Sequence, residues 1–231
     1  MKKIAIMQPY FFPYLGYWQL INEVDIFVVY DNVNFIKQGW INRNKILLNG
    51  KEHVLTLSLK KASSFKYINQ IEILDNRIKL LKTISQAYKK APYYEQVFPV
   101  FKDIFSVSES NLARFLIYSI KKIIGYLGIR TEIIISSEMK PNEHLKGEER
   151  VLDICRQLNC TKYINAIGGR GLYSSKRFKS YGIDLAFLKC KEVKYQQMGN
   201  EFIPFLSIID ILAFNTLENI SLFLKEFTLV E

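Results

Sequence analysis

The sequence predicts an α/β fold with a mainly parallel, Rossmann-like sheet, a β-hairpin excursion and a helical insert. Short apolar runs alternate with amphipathic segments over the first 30 residues and again after residue 130, which is typical of a parallel sheet. Between them, residues 76–128 repeat apolar side chains at helical spacing. We therefore divide the chain into an N-terminal α/β part with the hairpin (1–75), a helical insert (76–130) and a C-terminal α/β part that completes the same domain (131–231).

The N-terminal part begins with a strand, a turn and a helix. The apolar run at Ile4 predicts the strand, residues 17–24 the helix, and 26–30 a second strand. A hairpin is predicted next, because Asn49-Gly50 separates two β-rich runs, 45–48 and 54–59. A further strand over 70–74 is expected to join this antiparallel patch.

The remaining elements follow from periodicity and from turn residues. Three helices are predicted in the middle of the chain, over 75–90, 98–105 and 108 to Gly125 or Gly128. The last third predicts strands at 133–135, 162–166 and 185–188, and helices at 147–158, 174–180, 206–214 and 218–227.

Composition limits the class of protein. With 49% hydrophobic residues the chain is not a disordered protein, and no run of about 18 apolar residues predicts a transmembrane helix. Neither a secretory signal nor a metal-binding cysteine spacing is found, so Cys155, Cys160 and Cys190 are expected to be reduced in a cytoplasmic protein. A net charge of +10 favours anionic partners such as nucleotides, sugar nucleotides, tRNA or an acidic membrane surface.

The turn after the first strand is the most informative segment. It follows the carboxyl end of a strand, where open α/β sheets bind ligands. It is also rich in aromatic residues, so one interpretation is a binding pocket, and the alternative is a hydrophobic plug over the sheet edge. The candidate wall residues are Tyr10, Phe11, Phe12, Tyr14 and Tyr17, and Gln8 precedes them.

A glycine-rich segment predicts a phosphate site. Gly168, Gly169, Arg170 and Gly171 follow a predicted strand that contains Asn165 and precede a helix. Backbone N–H groups, a helix N-terminus and a guanidinium can together bind an anion, and the basic run 174–177 extends the charge. The segment matches neither the Walker A pattern nor GxGxxG, and a flexible turn is the alternative.

Two other groups of polar residues are candidates for chemistry. Trp40, Asn42 and Arg43 can bind a sugar or a phosphate, or can simply begin a strand. Asp31, followed by Asn32 at the end of the second strand, is the best general base, with a turn-capping aspartate as the alternative.

Asp210 lies in an apolar helical run and must be paired or functional if it faces inward. The chain has two histidines and no HExxH, Cys/His set or GxSxG pattern, which argues against a metal site and against a Ser-His-Asp hydrolase.

Five stretches, in this order, resemble the WbqC-like family of bacterial polysaccharide-cluster proteins: MQPYFFPYLGYWQLI (7–21), VDIFVVYDNVNFIKQGWINRN (24–44), KGEERVLDICRQL (146–158), KYINAIGGRGLY (162–173) and FLSIIDILAFN (205–215). The resemblance covers nearly the full chain, and its first two stretches are the most specific. It implies a role in O-antigen or surface-glycan biosynthesis, with transfer of glycine or a similar acyl group to an amino sugar.

Under that expectation, Asp31 would act on the amine of a nucleotide-linked amino sugar. The phosphate of this substrate would be bound by Gly168, Gly169 and Arg170. Its sugar would be bound by Trp40, Asn42 and Arg43. The acyl donor stays open, because an ATP-made adenylate and an aminoacyl-tRNA both suit a basic chain. The alternative is a non-catalytic sugar-nucleotide or glycan-binding accessory protein.

A fainter resemblance connects residues 14–17 to the His-x-Gly-His signature of nucleotidyltransferases and pantothenate synthetases. Tyr14 and Tyr17 stand where those enzymes have histidines, so the phosphate-donating imidazoles are missing, although tyrosine hydroxyls can also donate. A nucleotidyltransferase-like enzyme is therefore a third possible function.

Overall fold

The computed structural model describes residues 1–140, 142, 144–199 and 201–231. The strands are β1 (Lys3–Met7), β2 (Ile26–Val29), β3 (Arg43–Leu48), β4 (Lys51–Thr56), β5 (Leu59–Lys60), β6 (Glu72–Ile73), β7 (Glu132–Ile135), β8 (Lys162–Ala166), β9 (Asp184–Cys190) and β10 (Phe227–Val230). The helices are α1 (Leu15–Glu23), α2 (Arg77–Tyr88), α3 (Tyr94–Ser106), α4 (Leu112–Leu127), α5 (Gly147–Gln157), α6 (Ser175–Ser180), α7 (Ile208–Phe214) and α8 (Leu217–Phe223).

A six-stranded sheet forms the centre, in the order β10-β9-β8-β1-β2-β7. All neighbours are parallel except β10, which pairs antiparallel with β9. The β2 strand is buried along its whole length, and a continuous apolar run of this kind is typical of a strand covered on both faces. The expected α/β class with a mainly parallel sheet is confirmed.

Both faces of the sheet are covered by helices. Alternate residues of β2 point to opposite faces, with Phe27 and Val29 in one apolar cluster and Val28 in the other. The first cluster includes α1, α2, α3, α4 and α7, and the second includes α5 and α6. The Rossmann-like assignment and the three-part division stay predictions.

The chain reverses direction across the sheet at β1. After β1 it builds β2 and β7 on one side, and then β8, β9 and β10 on the other. The pairing of β1 with β2 continues to Met7 and Val29, whereas its pairing with β8 stops at Ile4 and Tyr163. The carboxyl halves of β1 and β8 are therefore not joined by a ladder, at the point where open α/β sheets bind ligands.

Two small antiparallel pairs lie outside this sheet. β3 and β4 pair across Asn49 and Gly50, whose φ angles of 53° and 72° are the left-handed values that a type I′ hairpin turn requires. The expected strand over 70–74 does not join them. Instead, β6 pairs with β5 as a separate sheet, because residues 68–70 form a 3₁₀ turn.

The C-terminus also differs from the expectation. The predicted helix 218–227 ends at Phe223, and β10 follows it along the exposed edge of β9. The amphipathic spacing of residues 217–223 continues into the next residues, so periodicity alone extends the helix too far. The last residues form a strand because they pair with β9, about 40 residues earlier in the chain. Local sequence patterns do not predict such non-local pairing.

Asp210 is paired rather than free. Its carboxylate is fully buried and accepts hydrogen bonds from the hydroxyls of Tyr88 (2.9 Å) and Tyr195 (2.6 Å) and from Nε2 of Gln197 (2.9 Å). Burial raises the pKa of Asp210, and the hydrogen bonds from Tyr195, Tyr88 and Gln197 oppose that shift. The same Tyr88 oxygen accepts the N–H of Leu47, so this carboxylate links α7, α2 and β3.

Asp210→Ala should lower the free energy of unfolding by about 3 kcal/mol, because it leaves the Tyr88 and Tyr195 hydroxyls without their acceptor and removes one of the acceptors of Gln197 Nε2. Urea denaturation followed by circular dichroism measures the change. The control is Asp184→Ala, which removes an exposed carboxylate and should stay within about 0.5 kcal/mol of the unmodified protein. Equal stability of both variants would contradict the linking role of Asp210.

Candidate ligand-binding site

The polar and aromatic candidates converge on the carboxyl edge of the central sheet. The turn 8–14 follows β1, Asp31 and Asn32 follow β2, a 3₁₀ turn at 136–138 follows β7, and the glycine segment follows β8. Parallel strands place all these ends at one edge.

Part of the first turn forms an aromatic pocket. Tyr10, Tyr14 and Trp40 line a cavity of about 230 Å³, together with Pro13, Asn44 and Phe205. Among the described residues, nothing accepts a hydrogen bond from the Tyr10 or Tyr14 hydroxyl or from the Trp40 indole N–H. Burial raises the pKa of both tyrosines, so the hydroxyls keep their protons at neutral pH. The pocket thus offers aromatic faces and three free donors.

The other aromatic residues of the turn belong to the core. Phe11 and Phe12 are fully buried and pack on Phe105 of α3. Tyr17 is 2% exposed, and its hydroxyl donates to the carbonyl of Gln8 at 3.0 Å. The turn is therefore divided between two environments: Tyr10 and Tyr14 line a cavity, and Phe11 and Phe12 pack in the core. That the cavity binds a ligand stays a prediction.

An unusual backbone conformation at Phe12 lies between the core-facing phenylalanines and the pocket residue Tyr14. Its φ of 43° lies in the left-handed region, which a bulky side chain adopts only when its surroundings enforce it. Nδ2 of Asn44 donates to the carbonyls of Phe11 (3.1 Å) and Phe12 (3.0 Å), and Oγ of Ser207 donates to the Phe12 carbonyl at 2.7 Å. Two distant segments therefore hold the turn in shape.

Gly16 allows Tyr14 to face the pocket. A Cβ atom at Gly16 would lie 2.6 Å from the Tyr14 ring, closer than real contacts permit. The ring also meets Phe205 edge-on, with 6.4 Å between the ring centroids. The absence of a side chain at position 16 thus fixes where the Tyr14 hydroxyl lies.

Asp31 is held in a hydrogen-bond network between the ends of β2 and β7. The residue is only 3% exposed. Its Oδ1 accepts from Oγ of Ser136 and from the N–H of Ser137, both at 3.0 Å. Its Oδ2 accepts from Oγ of Ser137 at 2.6 Å and from Nδ2 of Asn69 at 3.3 Å. Four donors thus occupy both oxygens, and the Asn69 contact is the longest.

Asn32 contacts an arginine that the sequence analysis did not select. Nη1 of Arg150, in the first turn of α5, donates to the Asn32 carbonyl at 3.2 Å, and its guanidinium lies 5.2 Å from the centre of the Tyr30 ring. The sequence does contain a feature that could have identified this arginine. Position 150 lies on the apolar face of α5 with Ile154 and Cys155, where a charged residue is unexpected.

The glycine segment is a short 3₁₀ helix, Ile167–Leu172, rather than a loop. Its Arg170 is exposed. Asn165, at the end of β8, is buried, and a Cβ atom at Gly169 would lie 3.0 Å from its Nδ2. The close approach of the segment to β8 therefore favours a glycine at position 169, because a larger residue would have to push the Asn165 side chain aside.

The basic run after the glycine segment is partly neutralised. Arg177 pairs with Glu149 and lies 3.7 Å from Glu148, both in α5. Its charge is therefore already compensated within the protein.

The segment around Trp40 is a compact turn. Asn42 links to β4 through the Leu57 backbone, since its Nδ2 donates to that carbonyl at 2.9 Å. Arg43 donates to the carbonyls of Gly39 and Gln38 and lies 5.9 Å from the centre of the Trp40 ring. Of these three predicted site residues, the structure brings Trp40 into the pocket with Tyr10 and Tyr14.

Within residues 1–140, 142, 144–199 and 201–231, no three His, Cys, Asp or Glu side chains are grouped as a metal site would need. None of the helices in those ranges has the length and apolar character needed to span a bilayer.

Comparisons with known proteins identify a family and a relative, whereas no solved structure matches the chain. The model of the WbqC-like protein family matches residues 8–222. A protein of Mycobacterium tuberculosis, described as uncharacterized protein Rv1507c, is 26% identical over 218 residues, which cover 92% of this chain and 93% of that protein.

Gly16→Ala should fold but displace the Tyr14 ring, because the clashing atoms are the far end of a side chain that can rotate. Gly125→Ala is the matched control: it adds the same methyl group to α4 with no atom within 4 Å, and it should stabilise the protein by up to about 1 kcal/mol. Aromatic NMR signals measure the displacement. An unchanged Tyr14 environment in Gly16→Ala would contradict the role given to the glycine.

Proposed function

Because the chain belongs to the WbqC-like protein family, we propose that it is an enzyme that transfers an acyl group to the amine of a nucleotide-linked amino sugar. Glycine is the acyl group that we expect first, and surface-polysaccharide biosynthesis is the expected setting. The observation that carries this proposal is an aromatic pocket with unpaired donors beside the open carboxyl ends of β1 and β8.

The pocket suits a sugar ring. The apolar face of a pyranose stacks on aromatic side chains, and Trp40 and the tyrosines offer such faces. The sugar hydroxyls can accept hydrogen bonds from Tyr10, Tyr14 and the Trp40 indole. These donors have no acceptor within the described part of the chain, so a bound sugar would displace only water.

The phosphate of the same ligand would lie toward the opening between β1 and β8. The 3₁₀ segment brings the backbone of Gly168 and Gly169 to this edge, and small residues let an anion approach N–H groups closely. Arg170, at the exposed side of this segment, would contribute a charge at the rim.

In the transfer step, the neutral amine of the sugar attacks the carbonyl carbon of an activated acyl donor. A C–N bond forms, the bond to the leaving group breaks, and one proton leaves the nitrogen. Asp31 would accept that proton once the amine replaces the Asn69 amide on its Oδ2. The leaving group would be AMP from an adenylate or the tRNA of an aminoacyl-tRNA.

One observation favours a second candidate function, a non-catalytic sugar-nucleotide-binding accessory protein. Both oxygens of Asp31 already accept hydrogen bonds from Ser136, Ser137 and Asn69, an arrangement that also suits a purely structural carboxylate. Such a protein needs the pocket and the phosphate contacts but no general base.

The direct test is incubation of the protein with a dTDP-linked 4-amino sugar, glycine and ATP, with and without charged tRNA. Mass spectrometry should detect the glycyl amide of the sugar nucleotide. Ligand binding without product from any of these donors would favour the accessory protein instead.

Asp31→Asn should lower the rate of amide formation by about 10²- to 10⁴-fold, because an amide cannot accept the proton. Affinity for the sugar nucleotide, measured by calorimetry, should change little. Asp184→Asn, at an exposed carboxylate, is the matched control and should keep full activity. Full activity of Asp31→Asn would remove this residue from the mechanism.

Trp40→Ala should weaken binding of the sugar nucleotide about three- to tenfold through loss of aromatic stacking. Trp40→Phe retains a ring and should recover most of the affinity. Calorimetry measures the affinity of each variant for the sugar nucleotide. Equal affinity of Trp40→Ala and the unmodified protein would show that the sugar does not stack on Trp40.

A further inference from the structure

Arg150 is a buried cation with few partners. The residue is 8% exposed, and its Nε is buried without any hydrogen-bond acceptor. With the residues that the structure describes, its guanidinium makes one hydrogen bond, from Nη1 to the Asn32 carbonyl. In the described ranges, no carboxylate forms an ion pair with it.

This arrangement costs free energy in the unliganded protein. A buried charge is tolerated when it is paired and its donors are satisfied, whereas among the described residues Arg150 has no ion-pair partner and its Nε has no acceptor. Three described carboxylates of this region already have other partners. Glu148 accepts the N–H of Ser174 at 2.6 Å, Glu149 pairs with Arg177, and Asp31 binds the two serines that follow β7.

The donors around Arg150 favour an anion, against the negative charge of Glu148 and Glu149 in the same turn, which Arg177 partly compensates. The first turn of α5 begins at the carboxyl edge of the sheet, and its cap residue, Lys146, makes no side-chain hydrogen bond to it. The N–H groups of this turn carry the positive end of the helix dipole. The Tyr30 ring adds a hydroxyl donor that stays protonated, because burial raises the pKa of Tyr30 to about 12, against the opposing effect of Arg150.

We propose that Arg150 and the first turn of α5 form a phosphate-binding site. That the bound group is the diphosphate of a nucleotide-linked sugar rests on the proposed function, whereas the anion site itself does not. Arg150 would be the inner phosphate contact, because it is a buried cation at the end of β2, while Arg170 is exposed.

The probe is inorganic pyrophosphate, titrated into the full chain by calorimetry and, in parallel, added in thermal unfolding experiments. Arg150→Gln should weaken pyrophosphate binding about ten- to hundredfold, because charge-assisted hydrogen bonds are lost. Arg156→Gln is the matched control: it makes the same charge change in the same helix at an exposed position near the opposite end, and it should bind like the unmodified protein.

A second variant separates ligand binding from a structural role. Without pyrophosphate, Arg150→Met should unfold at a temperature no lower than the unmodified protein, because it removes an uncompensated buried charge. With pyrophosphate, only the unmodified protein and Arg156→Gln should gain thermal stability. Arg150→Lys, which keeps the charge without the planar fork, should bind at an intermediate level.

Three results would overturn the proposal: no pyrophosphate binding by the unmodified protein, equal binding by Arg150→Gln, or failure of both Arg150→Gln and Arg150→Met to fold. Pyrophosphate binding that depends on Arg150, with no amide product from any donor, would leave the anion site standing and overturn only the transferase function.

Discussion

The parallel pairing of β1 with β8 covers only the first half of β1, although its pairing with β2 continues to Met7. The gap lies at the carboxyl edge of the sheet, beside the strand at which the order changes from β2 and β7 on one side to β8, β9 and β10 on the other. The segments that could bind a ligand all start from strand ends at this edge. The aromatic turn extends β1, the glycine segment extends β8, and α5 begins beside them.

Polar side chains from distant segments hold the edge in this shape. Asn44 and Ser207 fix the left-handed backbone at Phe12, and Asp31 joins the ends of β2 and β7 through the serines at 136 and 137. In these places the buried polar groups are well paired. Arg150 differs, since its charge is buried without an ion-pair partner in the described chain. A site that binds an anion is expected to retain such a locally unfavourable charge.

The sequence predicted the strands that are buried on both faces, such as β1 and β2, because a short continuous apolar run has few other structures available. It did not predict β10, whose pairing with β9 is non-local. It could not separate Phe12 from Tyr14 either, since contacts with Asn44 and Ser207 determine which ring faces the core. Arg150 was missed because helical periodicity reports which face is buried but not whether a charge on that face is compensated.

The central claim is that a nucleotide-linked amino sugar binds at the carboxyl edge between β1 and β8. A crystal structure of the protein with a dTDP-linked 4-amino sugar tests it most directly. We predict density for the sugar against Trp40 and for the diphosphate beside Arg150. Density confined to the opposite edge, in the hollow of about 310 Å³ lined by Lys162 and Asp184 at the starts of β8 and β9, would contradict the account.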